Sequence, residues 1–211
     1  IVGGGGCGLT AALAAHQAGA EVLVLERDAS ALGTTAMSTG LIPAANSRLQ
    51  RDKGIVDSPE LFADDCAKKA KGQTDAGIAL ALARESARTV EWLIDDHQVP
   101  LSLVDSFLYP GHSVMRMHGS PNRTGSELMG SLAAACERRG IDILTEAQVT
   151  ELFADAATGV VRGARLRRPD GSTEDLGCDA LVLACCGFAG NEAMVKQYIP
   201  EIEGATFFGH P

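Results

Sequence analysis

The sequence predicts an α/β protein: a parallel central sheet, flanking helices and a small antiparallel β-meander. Three observations lead there. A glycine-rich turn at residues 3–8 runs directly into an Ala- and Leu-rich segment and then into the apolar run 21–26, the strand–turn–helix–strand order of a parallel crossover unit. Aromatic residues are only 4% of the chain, and a core of small and branched aliphatic side chains suits buried parallel strands. Segments 149–153, 160–167 and 172–176 read as three short strands joined by turns.

Composition narrows the class. The chain has 211 residues, 45% hydrophobic and 21% charged, which is ordinary for a folded globular protein. Its formal net charge of −9 argues against a general nucleic-acid binder or an anionic-membrane binder. No run approaches the ~18 apolar residues of a membrane span. Cys7, Cys66, Cys136, Cys178, Cys185 and Cys186 contain no C-x-x-C spacing. They read as reduced thiols of a cytoplasmic protein, with neither a disulfide framework nor a metal site expected.

Each element follows from local chemistry. Ile1-Val2 is the end of a first strand. The segment Leu9–Ala18 favours helix, and Gly19 stops it. Glu21–Glu26 is a short apolar strand ended by charge, and residues 27–46 read as loop around a short helix. Ser58-Pro59-Glu60 starts a helix to about Lys71, with Ser as N-cap and Pro in the first turn. Asp75–His97 is a second helix, with Ala79, Leu82, Ser86, Ala87, Val90, Leu93 and Ile94 on one face. Residues 99–123 show poor periodicity, and a long irregular segment of this kind often carries function. Thr124-Gly-Ser-Glu127 is a capping box for a helix that buries Leu128, Leu132 and Ala135 and ends at Gly140. A strand at 141–144, the meander with Pro169-Asp170-Gly171 in its second turn, and a buried strand at 179–185 follow. Adjacent helical residues point about 100° apart, so Asp64-Asp65 and Asp95-Asp96 read as solvated charge, not as an acid/base pair.

Gly3, Gly5 and Gly8 satisfy G-x-G-x-x-G, and their context gives the match weight. A strand end precedes them, a helix follows, and Glu26 closes the next strand 18 residues after Gly8, near the spacing of the acidic residue that binds a ribose. Gly3 permits a tight turn, Gly5 lets the backbone approach a pyrophosphate, and Gly8 allows close helix–strand packing. The helix N-terminus then offers free N–H groups to the phosphates. An acidic residue at 26 disfavours a 2′-phosphate, which leaves NAD or FAD ahead of NADP. No second βαβ half follows at once. The segment Leu32-Gly33-Thr34-Thr35-Ala36-Met37-Ser38-Thr39-Gly40 instead offers bare backbone and hydroxyls, which suit a second phosphate and a flat ring.

These residues, with Val24-Leu25-Glu26-Arg27, Arg116-Met117-His118 and the strand end Leu181-Val-Leu-Ala184-Cys-Cys-Gly187-Phe-Ala-Gly190-Asn191, resemble a flavoprotein family. It comprises fumarate reductases, succinate dehydrogenase flavoprotein subunits and 3-ketosteroid dehydrogenases, and the resemblance covers almost the whole chain. It implies a Rossmann-like FAD-binding domain over residues 1–211, as the flavin portion of a larger enzyme whose capping, substrate-binding domain lies elsewhere. By the same resemblance Gly3, Gly5, Gly6, Cys7 and Gly8 cradle the pyrophosphate. Glu26 binds the adenosine ribose, with Arg27 beside the adenine. Thr34, Thr35 and Ala36 lie along the pyrophosphate and ribityl chain, and Ser38, Thr39, Gly40 and Leu41 approach the isoalloxazine. Val149 holds the adenine edge through its backbone, and Ala184, Cys185 and Gly187 pass under the adenosine half. Two departures stand out. The family's strand end A-T-G-G has Thr where this chain has Cys185, a weaker hydrogen-bonding group. The loop after the second strand lacks the His that carries covalent flavin, so the FAD is expected to be noncovalent.

The reaction implied by the resemblance is hydride transfer between FAD and an activated C–C or C=C bond of a small carboxylate or ketone, with an electron partner that the sequence does not name. His118 and Arg116 are the candidate catalytic residues, with His112 and Arg123 nearby. An arginine suits bidentate carboxylate binding, and a histidine suits orientation or protonation of substrate. Two other readings stay open: an NAD-dependent dehydrogenase with a single Rossmann domain, and a flavin-binding module without catalysis.

Overall fold

The computed structural model describes residues 1–210. In chain order its elements are α1 (Gly6–Gln17), β1 (Leu23–Leu25), α2 (Gly33–Ala36), β2 (Ile42–Pro43), α3 (Arg48–Asp52), α4 (Pro59–Lys69), α5 (Ala76–Asp95), β3 (Ser102–Leu103) and β4 (Met117–Gly119). They continue with α6 (Gly125–Arg138), β5 (Asp142–Leu144), β6 (Gln148–Ala154), β7 (Val161–Arg167), β8 (Thr173–Gly177) and α7 (Glu192–Tyr198), then a 3-10 turn at Pro200–Ile202. The chain divides into two compact units, Ile1–Met37 with Leu132 onward, and Ser38–Ser131; the division falls inside α6.

The first unit is built on parallel pairing. β1 pairs parallel with β5, and Val2 lies between two parallel neighbours, Leu25 and Leu183. The lateral order is therefore the 183 segment, the Val2 segment, β1 and β5. Leu9, Ala12 and Leu13 of α1 are buried, and full burial of a leucine contributes about 1.5–3 kcal/mol. Gly19 takes φ +91° and its N–H donates to the His16 carbonyl at 2.9 Å, a glycine-terminated helix end. β6, β7 and β8 form the antiparallel meander in that order. Leu25, Ala147 and Leu166 form a buried cluster, with Leu23, Leu144, Val149 and Leu176 packed on it.

Two expectations change in this unit. α1 begins at Gly6, inside the glycine turn, rather than at Leu9. The strand expected at 179–185 contracts to a bridge at Leu183, which is 59% exposed. It finds a parallel partner on one side, where the Val2 N–H reaches the Val182 carbonyl and the Ala184 N–H the Val2 carbonyl, at 2.9 and 2.8 Å.

In the second unit α4 and α5 pack through Phe62 and Ala83, with Ala45 and Cys66 against them. The Ser58 hydroxyl accepts the Leu61 N–H at 3.0 Å, and Pro59 opens α4 as expected. The buried stripe of α5 is Ala83, Ser86, Val90 and Leu93. Leu82, expected inside, is 57% exposed. On the buried stripe Ser86 Oγ accepts the Ala45 N–H at 3.0 Å and donates to the Ala83 carbonyl at 2.7 Å. Residues 99–123 are not wholly irregular: they contribute β3 and β4, which join β2 in an antiparallel sheet of order β2, β4, β3. Strands of two or three residues are too short to display an alternating pattern.

Leu128, Leu132 and Ala135 of α6 are buried as expected. The Thr124 hydroxyl accepts the Glu127 N–H at 3.2 Å, while the Glu127 carboxylate takes the Asn122 N–H at 2.8 Å. A reciprocal capping box forms instead at Ser47 and Gln50, heading α3. Among the described residues no helix is long and apolar enough to cross a membrane.

Candidate functional site

A cavity of about 440 Å³ opens in the first unit over the glycine turn. Its floor is the turn itself. Gly3 has φ +101°, and a Cβ there would lie 2.6 Å from the Ala184 carbonyl oxygen. A Cβ on Gly8 would run into the carbonyl oxygen of Gly3, so α1 can approach the strand end only with glycine at that position. Gly5 differs: it is the N-cap of α1, with φ −75° and no side-chain cap, and a Cβ on it would meet no atom closer than Gly33 Cα at 4.0 Å. The first turn of a helix leaves N–H groups without intrahelical partners. The Thr35 hydroxyl takes that of Gly6 at 3.2 Å.

One wall is Glu26. It is buried at 8% exposure, and its carboxylate accepts the Gly4 N–H at 2.8 Å and the Asp28 N–H at 2.9 Å. Each oxygen accepts one of these bonds and retains a lone pair for a further donor. Beside it lies the start of β6, where the pairing with β7 slips between Val149 and Glu151. A bulge of this kind takes backbone groups out of the ladder, here at the cavity edge. Arg27 also lines the cavity, and its guanidinium lies 3.3 Å from the Asp28 carboxylate.

Of the expected cofactor contacts, Gly3, Gly5, Gly6, Cys7, Glu26, Arg27, Thr34, Thr35, Val149, Ala184 and Cys185 line this cavity. Gly8 lies beneath it as a packing residue. Ala36 and Gly187 do not line it, and Ser38, Thr39, Gly40 and Leu41 belong to the second unit. There Gly40 has φ +63°, and a Cβ on it would meet the Thr124 carbonyl oxygen at 2.7 Å. His210 also reaches the cavity: its backbone N–H donates to Thr34 Oγ1 at 2.9 Å and its Nδ1 lies 3.3 Å from Asp28 Oδ2.

The candidate catalytic pair has a different environment. Arg116 is fully buried in the second unit. Its Nε and Nη2 donate to Asp57 at 3.0 and 2.9 Å, and its Nη1 donates to Asp65 at 2.6 Å. Phe62 stacks 4.8 Å from the guanidinium carbon. This closure leaves no open face for a substrate carboxylate, and the expected substrate contact becomes an internal ion cluster. Asp65 is likewise a buried partner, not solvated helix charge. Desolvation pushes its carboxyl up, but bonds from Ser113 and Arg116 outweigh this and hold it below the usual carboxylate range. His118 is also fully buried. Its Nε2 lies 2.8 Å from Ser47 Oγ and its Nδ1 3.0 Å from the Arg116 carbonyl, and burial lowers its pKa. Burial and the Arg116 charge lower His112 similarly.

Comparison with known proteins agrees with the cavity chemistry. The profile of the FAD binding domain family matches residues 1–211. The chain is 32% identical over 212 aligned residues to an NADH:fumarate oxidoreductase of Klebsiella pneumoniae (strain 342), covering 100% of this chain and 22% of that protein. An open conformation of a flavocytochrome c3 fumarate reductase superposes with a TM-score of 0.88 at 28% identity, covering 99% of this chain and 37% of that one. A 3-ketosteroid-delta4-(5alpha)-dehydrogenase from Rhodococcus jostii RHA1 superposes with a TM-score of 0.80 at 25% identity, over 96% of this chain and 48% of that one. The chain thus spans between a fifth and a half of the length of these relatives. The family profile matches the whole sequence, and the chain belongs to the FAD binding domain family, with FAD as its cofactor.

Proposed function

We propose that the cavity of the first unit holds the adenosine and pyrophosphate of a noncovalent FAD, in an enzyme that moves a hydride to or from an activated C=C or C–C bond of a small carboxylate or ketone. The observation that carries the placement is the N-terminus of α1, which has glycine as its N-cap, follows a glycine turn and faces a cavity walled by Glu26. Helix N–H groups and the bare backbone at Gly5 bind phosphate oxygens. The Glu26 carboxylate, fixed by two backbone N–H bonds, accepts the ribose hydroxyls. Val149, at the bulge, presents backbone groups to the adenine edge. FAD supplies the hydride-accepting ring, and these residues bind and orient it. The roles expected for Ala36, Ser38, Thr39, Gly40, Leu41 and Gly187 rest on the family motif alone.

The reaction class is supported by the fumarate reductase and ketosteroid dehydrogenase likenesses. The NAD-only alternative is not favoured by a family match to FAD-binding domains. Residues 1–211 serve as the flavin-binding portion, and the groups that bind substrate lie elsewhere, a reading supported by the closure of Arg116 and His118. The six free cysteines support a cytoplasmic setting.

Glu26→Ala tests the placement. Removing hydrogen bonds to a charged acceptor costs about 1.5–3 kcal/mol, so the purified variant should lose most of its flavin absorbance. Unchanged flavin content refutes the position of the adenosine. Acid precipitation of the unaltered protein should leave the flavin in the supernatant, as a noncovalent cofactor requires.

A further inference from the structure

The three exposed cysteines of this chain, Cys7, Cys185 and Cys186, all line the same cavity. Cys66, Cys136 and Cys178 are buried or half-buried and lie outside its lining. Cys7 is the second residue of α1. Cys185 follows Ala184, whose carbonyl crowds Gly3. Cys186 sits at φ +61°, in the left-handed region where glycine is the unstrained choice. The sequence thus sets two adjacent thiols, one of them on strained backbone, beside the glycine turn. Among the described residues no group of His, Cys, Asp and Glu is arranged to hold a metal, so the chemistry this cluster offers is that of the thiols themselves.

We infer that Cys7, Cys185 and Cys186 form a thiol–disulfide exchange site that controls access of FAD to its cavity. A low-molecular-weight disulfide of the glutathione type forms a mixed disulfide there and fills the space FAD needs, and bound FAD shields the thiols. The inference rests on the placement of FAD proposed above. In the exchange a cysteine thiolate attacks one sulfur of the small disulfide. The protein–sulfur bond forms as the original S–S bond breaks, and the departing thiolate takes up the proton released by the cysteine. Within the adjacent pair the product persists as a mixed disulfide. Adjacent Cα atoms are about 3.8 Å apart, short of the ~4.4–6.8 Å that disulfides usually span, so closure between Cys185 and Cys186 is strained. Cys136 stays unreactive because burial pushes its thiol up to about 11.

The test uses the full protein, reduced and stripped of flavin, exposed to glutathione disulfide with or without prior loading with FAD. Peptide mapping by mass should find adducts at Cys7, Cys185 or Cys186 and none at Cys136. Loading with FAD should slow their formation about tenfold or more. The modified protein should bind FAD about tenfold more weakly or worse, and dithiothreitol should restore binding. Equal adduct rates with and without FAD, no adduct at the three cysteines, or unchanged FAD binding after modification overturns the inference. Glu26→Ala in parallel separates the two readings. If that variant loses FAD binding while the unaltered protein shows no protection, the thiol proposal alone fails. If it binds FAD normally, the placement itself fails.

Discussion

The glycine turn and the Arg116 cluster occupy different units of the molecule, and both are rich in hydrogen-bonding groups. At residues 3–8 the backbone is bare, α1 starts from a glycine N-cap, and Glu26 keeps acceptor capacity at the wall of a cavity. Around Arg116 three donors are spent on two buried aspartates, Gln50 Nε2 donates to Asp57 at 2.8 Å, and Ser113 closes on Asp65 at 2.5 Å. The first arrangement is open to a ligand and the second is complete without one. Charge in a loop is therefore a poor guide to a site; unspent hydrogen-bonding capacity facing a cavity is a better one.

The largest effect that sharpens this contrast comes from Arg116→Ala. It strands two buried carboxylates, and breaking a buried ion cluster from one side costs about 3–5 kcal/mol. Urea denaturation should show that loss. A variant of normal stability with a raised substrate KM would instead return Arg116 to the substrate site.

Gly5→Ala is expected to behave in the opposite manner. Its backbone conformation accepts any residue and its Cβ meets no close neighbour, so stability should change by about 1 kcal/mol or less. FAD affinity, read by titration, should fall about tenfold, near 1.4 kcal/mol, as a methyl enters the phosphate space. If stability collapses and binding survives, the two regions have been assigned the wrong way round.

The smallest effect is on pH dependence. Burial holds His118 and His112 below their usual 6.5. The unfolded chain then binds protons that the folded one refuses, so this stability is present above pH 6.5 and is lost as pH falls below it. His118→Gln should flatten part of that slope in thermal melts, and an unchanged slope would remove His118 from the account.

The glycine turn, the Pro59 helix start and the spacing of Glu26 were legible because each is a local matter of backbone freedom, capping or short-range register. The capping box at Ser47 and Gln50 carries the same kind of signal as Thr124 and Glu127, and was readable on that rule. Asp65 was not. Its environment depends on Arg116, 51 residues away, and a helical aspartate looks the same in sequence whether it faces water or a guanidinium.

The sequence by itself determined where bare backbone must lie and which carboxylate stands across from it, because sterics and helix termini act within a few residues. Only the tertiary structure decided that Arg116 is spent on Asp57 and Asp65, that the exposed thiols share one cavity, and that His210 reaches Thr34 across 176 residues. Burial and pairing between distant segments are properties of the packed chain, and no local spacing encodes them.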